Sequence, residues 1–163
     1  MPVSDQRNAP SESRAFCEKM KLENQVCFPL YAASREITKR YKPLLDKLDL
    51  TYTQYITMLV LWERKDLVIR DLCRVLMLDY GTLSPVLKKL EEKGLVRRQR
   101  AEDDERKMVI SVTDAGIELR ARASYIPEWI TYGMALSPKD RAELRRLLFR
   151  FLGREDACPE DTE

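Results

Sequence analysis

Residues 78–116 read "LDYGTLSPVLKKLEEKGLVRRQRAEDDERKMVISVTDAG", and within them the spacing of the apolar residues changes once. In the first part Leu83, Val86, Leu87 and Leu90 follow the i, i+3, i+4, i+7 order of one helix face, leaving Ser84, Lys88 and Glu91 on the other. Gly94 stands where a helix C′ residue is expected. Pro85 has no amide hydrogen and is tolerated only in an opening turn, which puts the helix start as late as Thr82. After Gly94 the period falls to two. "LVRRQR" and "KMVISVT" flank "AEDDER", and Met108, Ile110 and Val112 alternate with Lys107, Val109 and Ser111. This predicts a hairpin with one buried face and a charged tip.

On the N-terminal side, Ile69, Leu72, Cys73 and Leu76 share one face of a short helix, with Cys73 read as core, and "LDYGT" then punctuates the chain. "TYTQYITMLVLWE", residues 51–63, predicts a buried helix capped by Thr51 or Thr53. Residues 22–48 place Val26, Leu30, Ala33 and Ile37 at amphipathic spacing, with Pro29 near the start or at a kink and Pro43 as a second break or restart. On the C-terminal side, Thr113 caps a helix through "DAGIELRARASY" and Pro127 restarts the chain. Ser137, Pro138 and Asp140 take the N-cap, N1 and N3 places of the last helix. That helix carries Leu144, Leu147, Leu148 and Phe151 on a stripe that requires a partner.

Two short helices, a tight turn and a two-stranded ribbon form the winged helix-turn-helix arrangement, whose second helix enters the major groove while the ribbon reaches the neighbouring backbone or minor groove. The fold class is therefore mainly α (α+β). The expected divisions are a flexible arm at 1–20, helices at 21–50, the winged helix at 51–113, further helices at 114–153 and a flexible tail at 154–163.

Among 163 residues, 29 Lys and Arg against 27 Asp and Glu leave a net charge of +2, so nucleic-acid binding requires a local concentration of charge. Lys88, Lys89, Lys93, Arg97, Arg98, Arg100, Arg106 and Lys107 supply one. Glu91, Glu92, Glu102, Asp103 and Asp104 are interspersed, so charge alone would equally describe a solvated face; the order of elements favours DNA. The chain has no histidine, which removes the usual general base and metal ligand and with them most hydrolase chemistry. Cys17, Cys27, Cys73 and Cys158 form no CxxC pair, so neither a zinc site nor a disulfide framework is expected, and no cofactor. No apolar run has the length of a membrane span and the N-terminus lacks a signal peptide's apolar run, which predicts a cytoplasmic protein.

Residues 78–116, including "DERK" at the wing tip, resemble the DNA-binding core of the MarR family of winged-helix repressors. "KLENQVCFPLYAASREITKRYKPLLDKLDLTYTQYITMLVLWE" upstream resembles the OhrR branch, whose members sense organic hydroperoxides through a thiol. The resemblance implies a homodimer with interleaved N- and C-terminal helices, bound to a pseudo-palindromic operator on double-stranded DNA. It implies that Thr82, Ser84 and Lys88 face DNA from the recognition helix, joined by Lys89, Arg98 and Lys107, and that Arg106 enters the minor groove oriented by Asp104. An arginine at a ribbon tip suits the concentrated negative potential of a narrow A·T-rich groove. Val68 stands where the branch more often carries a threonine cap, which implies a weaker helix start there.

Cys27 lies in "NQVCFPLY", residues 24–31. A cysteine among apolar residues is ordinarily a small hydrophobe. Pro29, however, fits best in a first helical turn, which puts Cys27 at a helix N-terminus, where unpaired amides and the macrodipole favour the nucleophilic thiolate. Tyr31 follows one turn along the same face, with Tyr41 and Tyr52 further on. By resemblance Cys27 is the peroxide-reactive cysteine, Tyr41 and Tyr52 reach it from the partner subunit, and Tyr31 is a third nearby tyrosine. Oxidation to sulfenic acid is then expected to release the operator.

Some family members resolve the sulfenic acid with a second cysteine, but Trp129, Thr131 and Tyr132 occupy that region here. This favours a mixed disulfide with a low-molecular-weight thiol, or over-oxidation, with Cys17 and Cys158 as alternative resolving thiols. Two competing readings are a regulator released by a small aromatic ligand and a thiol peroxidase using Cys27 with Arg35 or Arg40.

Overall fold

The computed structural model describes residues 18–101, 104 and 106–154. Cys17, Cys158, the tip residues 102, 103 and 105, and most of the expected arm and tail lie outside the described residues. The elements are α1 (Cys27–Leu45), α2 (Tyr52–Arg64), β1 (Asp66–Val68), α3 (Ile69–Leu76), α4 (Tyr80–Glu92), β2 (Val96–Arg100), β3 (Met108–Val112), α5 (Asp114–Ala123), α6 (Ile126–Gly133) and α7 (Pro138–Phe151). The chain divides into two compact units, Met1–Ala123 and Ser124–Glu163.

In the first unit α2 is the central helix, in contact with α1, α3, α4, α5, β1 and β3. Its length is apolar on nearly every side, which suits a helix surrounded by neighbours: Tyr55, Met58 and Leu61 are buried. Among the described residues the two buried polar side chains, Gln54 and Thr57, are both hydrogen-bonded. The Thr57 hydroxyl donates to the Thr53 carbonyl at 2.7 Å, and Gln54 closes a capping box in which Thr51 N donates to Gln54 Oε1 at 2.9 Å and Gln54 N to Thr51 Oγ1 at 3.3 Å. Thr51, not Thr53, is thus the cap. Leu72 from α3, Leu83, Leu87 and Leu90 from α4, and Val96 and Ile110 from the hairpin are buried with them, so the stripe read from α4 is the face that it buries.

The hairpin has the expected antiparallel register, with Val96 opposite Val112 and Arg100 opposite Met108. A third strand joins it: β1 pairs with β3, Leu67 opposite Ile110, in the order β1-β3-β2. Three residues between two helices carry too short a pattern to announce a strand; only the free edge of β3 supplies its hydrogen bonds.

Two proline expectations are corrected. α1 does not break or restart at Pro43 but continues through it to Leu45, because a proline in the last turn forfeits only one amide bond. A short 3-10 turn, Asp46–Leu48, follows, and Asp49 reverses the chain in the left-handed region at φ 52°. α4 starts at Tyr80, not as late as Thr82, because Asp79 is its N-cap. Pro85 therefore lies beyond the opening turn, where it removes the donor for the carbonyl of Gly81, an exposed residue. Cys73, expected in the core, is half-buried. Burial, and then the nearby Asp79 charge, push its thiol up from the usual range.

Gly116 fixes the start of α5 against the hairpin. Thr113 Oγ1 accepts the Gly116 amide at 3.1 Å and donates to the Gly94 carbonyl at 2.6 Å, while Trp62 Nε1 donates to the Gly116 carbonyl at 2.7 Å. A Cβ at this position would overlap the Leu95 carbonyl oxygen and sit 2.7 Å from Val112 Cγ2, so only glycine allows the approach.

In the second unit Ser137 caps α7 as expected, with Asp140 N donating to Ser137 Oγ at 3.1 Å and Ser137 N to Asp140 Oδ2 at 3.3 Å. None of the described residues of α7 is buried, and Leu144, Leu147 and Phe151 are 45%, 44% and 73% exposed.

Candidate functional site

The recognition helix α4 presents its N-terminal turn through the Asp79 cap. Asp79 Oδ1 accepts the Thr82 amide at 2.8 Å and Oδ2 the Thr82 hydroxyl at 2.6 Å. These bonds hold the Asp79 carboxyl below the usual carboxylate range, the side-chain bond from Thr82 contributing most. The Thr82 hydroxyl proton is thereby committed to the cap, and its oxygen remains free to accept. Ser84 is half-buried, whereas Lys88 and Lys89 are exposed, Lys88 Nζ lying 4.0 Å from Glu92 Oε1.

Two basic residues of the same cluster are paired with carboxylates of this chain. Arg98 N donates to Glu91 Oε1 at 3.1 Å, and its guanidinium lies 3.9 Å from Glu91 Oε2 with the side chain only 21% exposed, so Arg98 ties β2 to α4. Lys93 pairs with Asp49 at 2.9 Å and also donates to the Asp49 carbonyl, which joins the end of the recognition helix to the turn after α1. At the wing tip Asp104 Oδ1 accepts the Arg106 backbone amide at 3.0 Å, and the Asp104 carbonyl accepts Lys107 N at 2.9 Å. Asp104 therefore sets the backbone that presents Arg106 and Lys107, both of which are exposed. Arg97 and Arg100 on β2 are exposed beside them. As expected from the valine, the cap position of α3 at Val68 offers no side-chain hydrogen bond.

Cys27 is the first residue of α1 and is exposed. Val26 caps the helix with no side-chain oxygen, and Pro29 occupies the third position, inside the opening turn. Tyr31, one turn on, accepts a hydrogen bond from Arg35 Nη1 at 3.3 Å, and the same guanidinium lies 5.6 Å from its ring centroid. With Arg35 as donor, the Tyr31 hydroxyl keeps its own proton for another acceptor. Arg40 Nε, the other arginine weighed for peroxidase chemistry, donates to Glu36 at 2.9 Å.

Tyr41 and Tyr52 pack together at the far end of α1, with ring centroids 5.0 Å apart. Tyr55 joins them, 5.6 Å from Tyr41, and is itself edge-on to Trp62 at 6.3 Å. Tyr55 was not singled out from the sequence, although its place three residues after Tyr52 in "TYTQY" puts it on an adjacent face of α2. Burial pushes the Tyr41 phenol up to about 12, with the neighbouring Tyr52 and Tyr55 adding to the shift, and burial raises Tyr52 and Tyr55 as well. All three phenols are protonated donors at neutral pH. At 1.5 Å per residue, Cys27 and Tyr41 are about 21 Å apart along the axis of α1. One chain therefore brings Cys27 to Tyr31 and Tyr41 to Tyr52, but not the two pairs to each other.

A groove of about 560 Å³ runs along the second half of α1, with Arg35, Lys39 and Lys42 at its rim and Leu45, Leu50 and Tyr52 within it. Among the described residues no group of three His, Cys, Asp or Glu converges as a metal site, and no helix is long and apolar enough to cross a membrane.

A family profile described as transcriptional regulator SarA/Rot matches residues 39–122. The organic hydroperoxide resistance transcriptional regulator of Bacillus subtilis is 48% identical over 135 residues, covering 83% of this chain and 92% of that one. The regulator SarZ of Staphylococcus haemolyticus is 38% identical over 123 residues, covering 76% of this chain and 84% of its own. Among solved structures, reduced AbfR bound to DNA superposes with a TM-score of 0.71 at 29% identity, covering 86% of this chain and 98% of that chain.

Proposed function

The chain belongs to the MarR/SarA-type family of winged-helix transcriptional regulators, in its OhrR-like branch, and from that membership we propose that it is a repressor released from DNA when an organic hydroperoxide oxidises Cys27. It is a DNA-binding regulator and not an enzyme, and the family is dimeric.

The observation that carries the sensing role is the distribution of groups along α1. A thiol and one tyrosine occupy its first turns, and a cluster of protonated phenols sits about 21 Å away at its far end. Antiparallel pairing of two such helices brings the Cys27 of one protomer to the partner subunit's Tyr41 and Tyr52. Those hydroxyls then donate to the thiolate together with Tyr31, in place of the histidine that the chain lacks. The thiolate attacks the terminal oxygen of the hydroperoxide and the O–O bond breaks. Sulfur is oxidised by two electrons to sulfenic acid, and the alkoxide takes a proton and leaves as the alcohol. The oxidised sulfur no longer accepts the same hydrogen bonds, which biases the dimer away from the spacing that seats both recognition helices.

In the DNA-bound form Thr82, Ser84, Lys88 and Lys89 face the major groove or its phosphates. Arg106 and Lys107 extend from the wing toward the minor groove on the turn set by Asp104, and Arg98 acts through Glu91 by holding β2 to α4. After oxidation, a low-molecular-weight thiol forms a mixed disulfide with Cys27, unless Cys17 or Cys158 resolves it.

The test is a gel-shift titration on the DNA upstream of the protein's own gene. Cys27→Ser is expected to bind as tightly as the natural chain and to stay bound on addition of an organic hydroperoxide; release of that variant would refute the sensing role. The cationic rim and apolar floor of the α1 groove also suit a small aromatic acid. Release by such an acid but not by hydroperoxide would select that second reading.

A further inference from the structure

We propose that Tyr80, which neither the motif nor the charge pattern singles out, is a DNA-positioning residue whose phenol hydroxyl donates to a phosphate flanking the half-site. The proposal rests on the DNA-binding function of the chain and goes beyond the residues already placed at its interface. Tyr80 is the first residue of the recognition helix, and it is 59% exposed. Ser84 and Lys88 follow it at i+4 and i+8 along one row of α4, which borders the face that buries Leu83 and Leu87; Tyr80 is exposed because it stands at the first position of the helix, ahead of that core.

The direction of the side chain distinguishes Tyr80 from the other two. Cα–Cβ bonds in a helix tilt toward its N-terminus, so a residue at the first position projects past the helix end instead of over its middle. The Asp79 cap fixes that end, through its bonds to the Thr82 amide and hydroxyl. A helix whose N-terminal part enters the major groove has the bounding phosphates beside its end. A long, rigid phenol there reaches the backbone and misses the base edges beneath the helix. Among the described residues Tyr80 makes no hydrogen bond or ring contact, which leaves the hydroxyl proton available and the ring without a structural role.

The contact predicts loss of affinity without loss of discrimination, because phosphate contacts position a protein and carry no direct sequence information. Tyr80→Phe keeps the ring and removes only the donor. With the full-length protein, fluorescence anisotropy on the operator and on an unrelated duplex of equal length is expected to show roughly tenfold weaker binding of Tyr80→Phe to both. The loss is expected to vanish on an operator whose flanking phosphates are neutral methylphosphonates. Unchanged binding of Tyr80→Phe would overturn the proposal, and so would a loss confined to the operator, which would make the residue a base reader. An unchanged melting temperature of the variant separates these outcomes from misfolding.

Discussion

Cys27 shows how far a single residue's chemistry depends on where its helix begins. Pro29 put the thiol in an opening turn, and α1 does begin at Cys27. Tyr31 is legible as its neighbour from the spacing of one turn. The acceptance of the Arg35 hydrogen bond by Tyr31 is not, because rotamers choose that pairing. The tyrosine cluster carries a prediction of its own. The folded Tyr41 phenol titrates at about 12, whereas an unfolded one titrates near 10, so between those values the folded protein holds more protons. Stability from this group is thus fully present below pH ~10 and is lost as pH rises through about 12. Tyr41→Phe should flatten that alkaline fall, as measured by thermal melts from about pH 8 to 12. An unaltered fall would mean that other groups set the alkaline limit.

At the scale of elements, periodicity located the hairpin and α4 correctly, since a buried face imposes its period on any sequence that forms it. Boundaries were harder. Pro85 argued for a late start of α4, and the Asp79 cap outweighed it by satisfying the Thr82 amide and hydroxyl together. β1 was invisible because a three-residue strand owes its form to β3. Arg98 and Lys93 counted as free positive charge in the linear pattern, yet each is paired, with Glu91 and Asp49, so less of that charge is unpaired than the sequence suggests. The junction of α5 with the hairpin depends on Gly116. Replacing it with alanine should cost about 1–3 kcal/mol by forcing α5 away from Leu95 and Val112, read as a shifted denaturant midpoint. A Gly116→Ala variant as stable as the natural chain would show that the backbone can relax there.

For the whole molecule, the decisive surfaces are those that one chain leaves uncovered. Leu144, Leu147 and Phe151 remain exposed along α7, an apolar stripe of the kind that a dimeric regulator covers with its second subunit. Leu147→Glu should raise the dimer dissociation constant by at least about tenfold in sedimentation equilibrium, and weaken operator binding with it, because both half-sites must be engaged together. A variant that stays dimeric would place the interface elsewhere. The linear order of residues determined the winged-helix arrangement, the cap at Ser137, the basic concentration and the thiol at a helix start, all of which follow from local periodicity and hydrogen-bonding rules that act within a few residues, and it narrowed the cap of α2 to Thr51 or Thr53. Tertiary structure alone decided the third strand, the gathering of Tyr52 and Tyr55 with Tyr41, and the ion pair of Lys93 with Asp49. Those contacts join residues eleven or more positions apart in the chain, and they form only once the fold has brought their elements together.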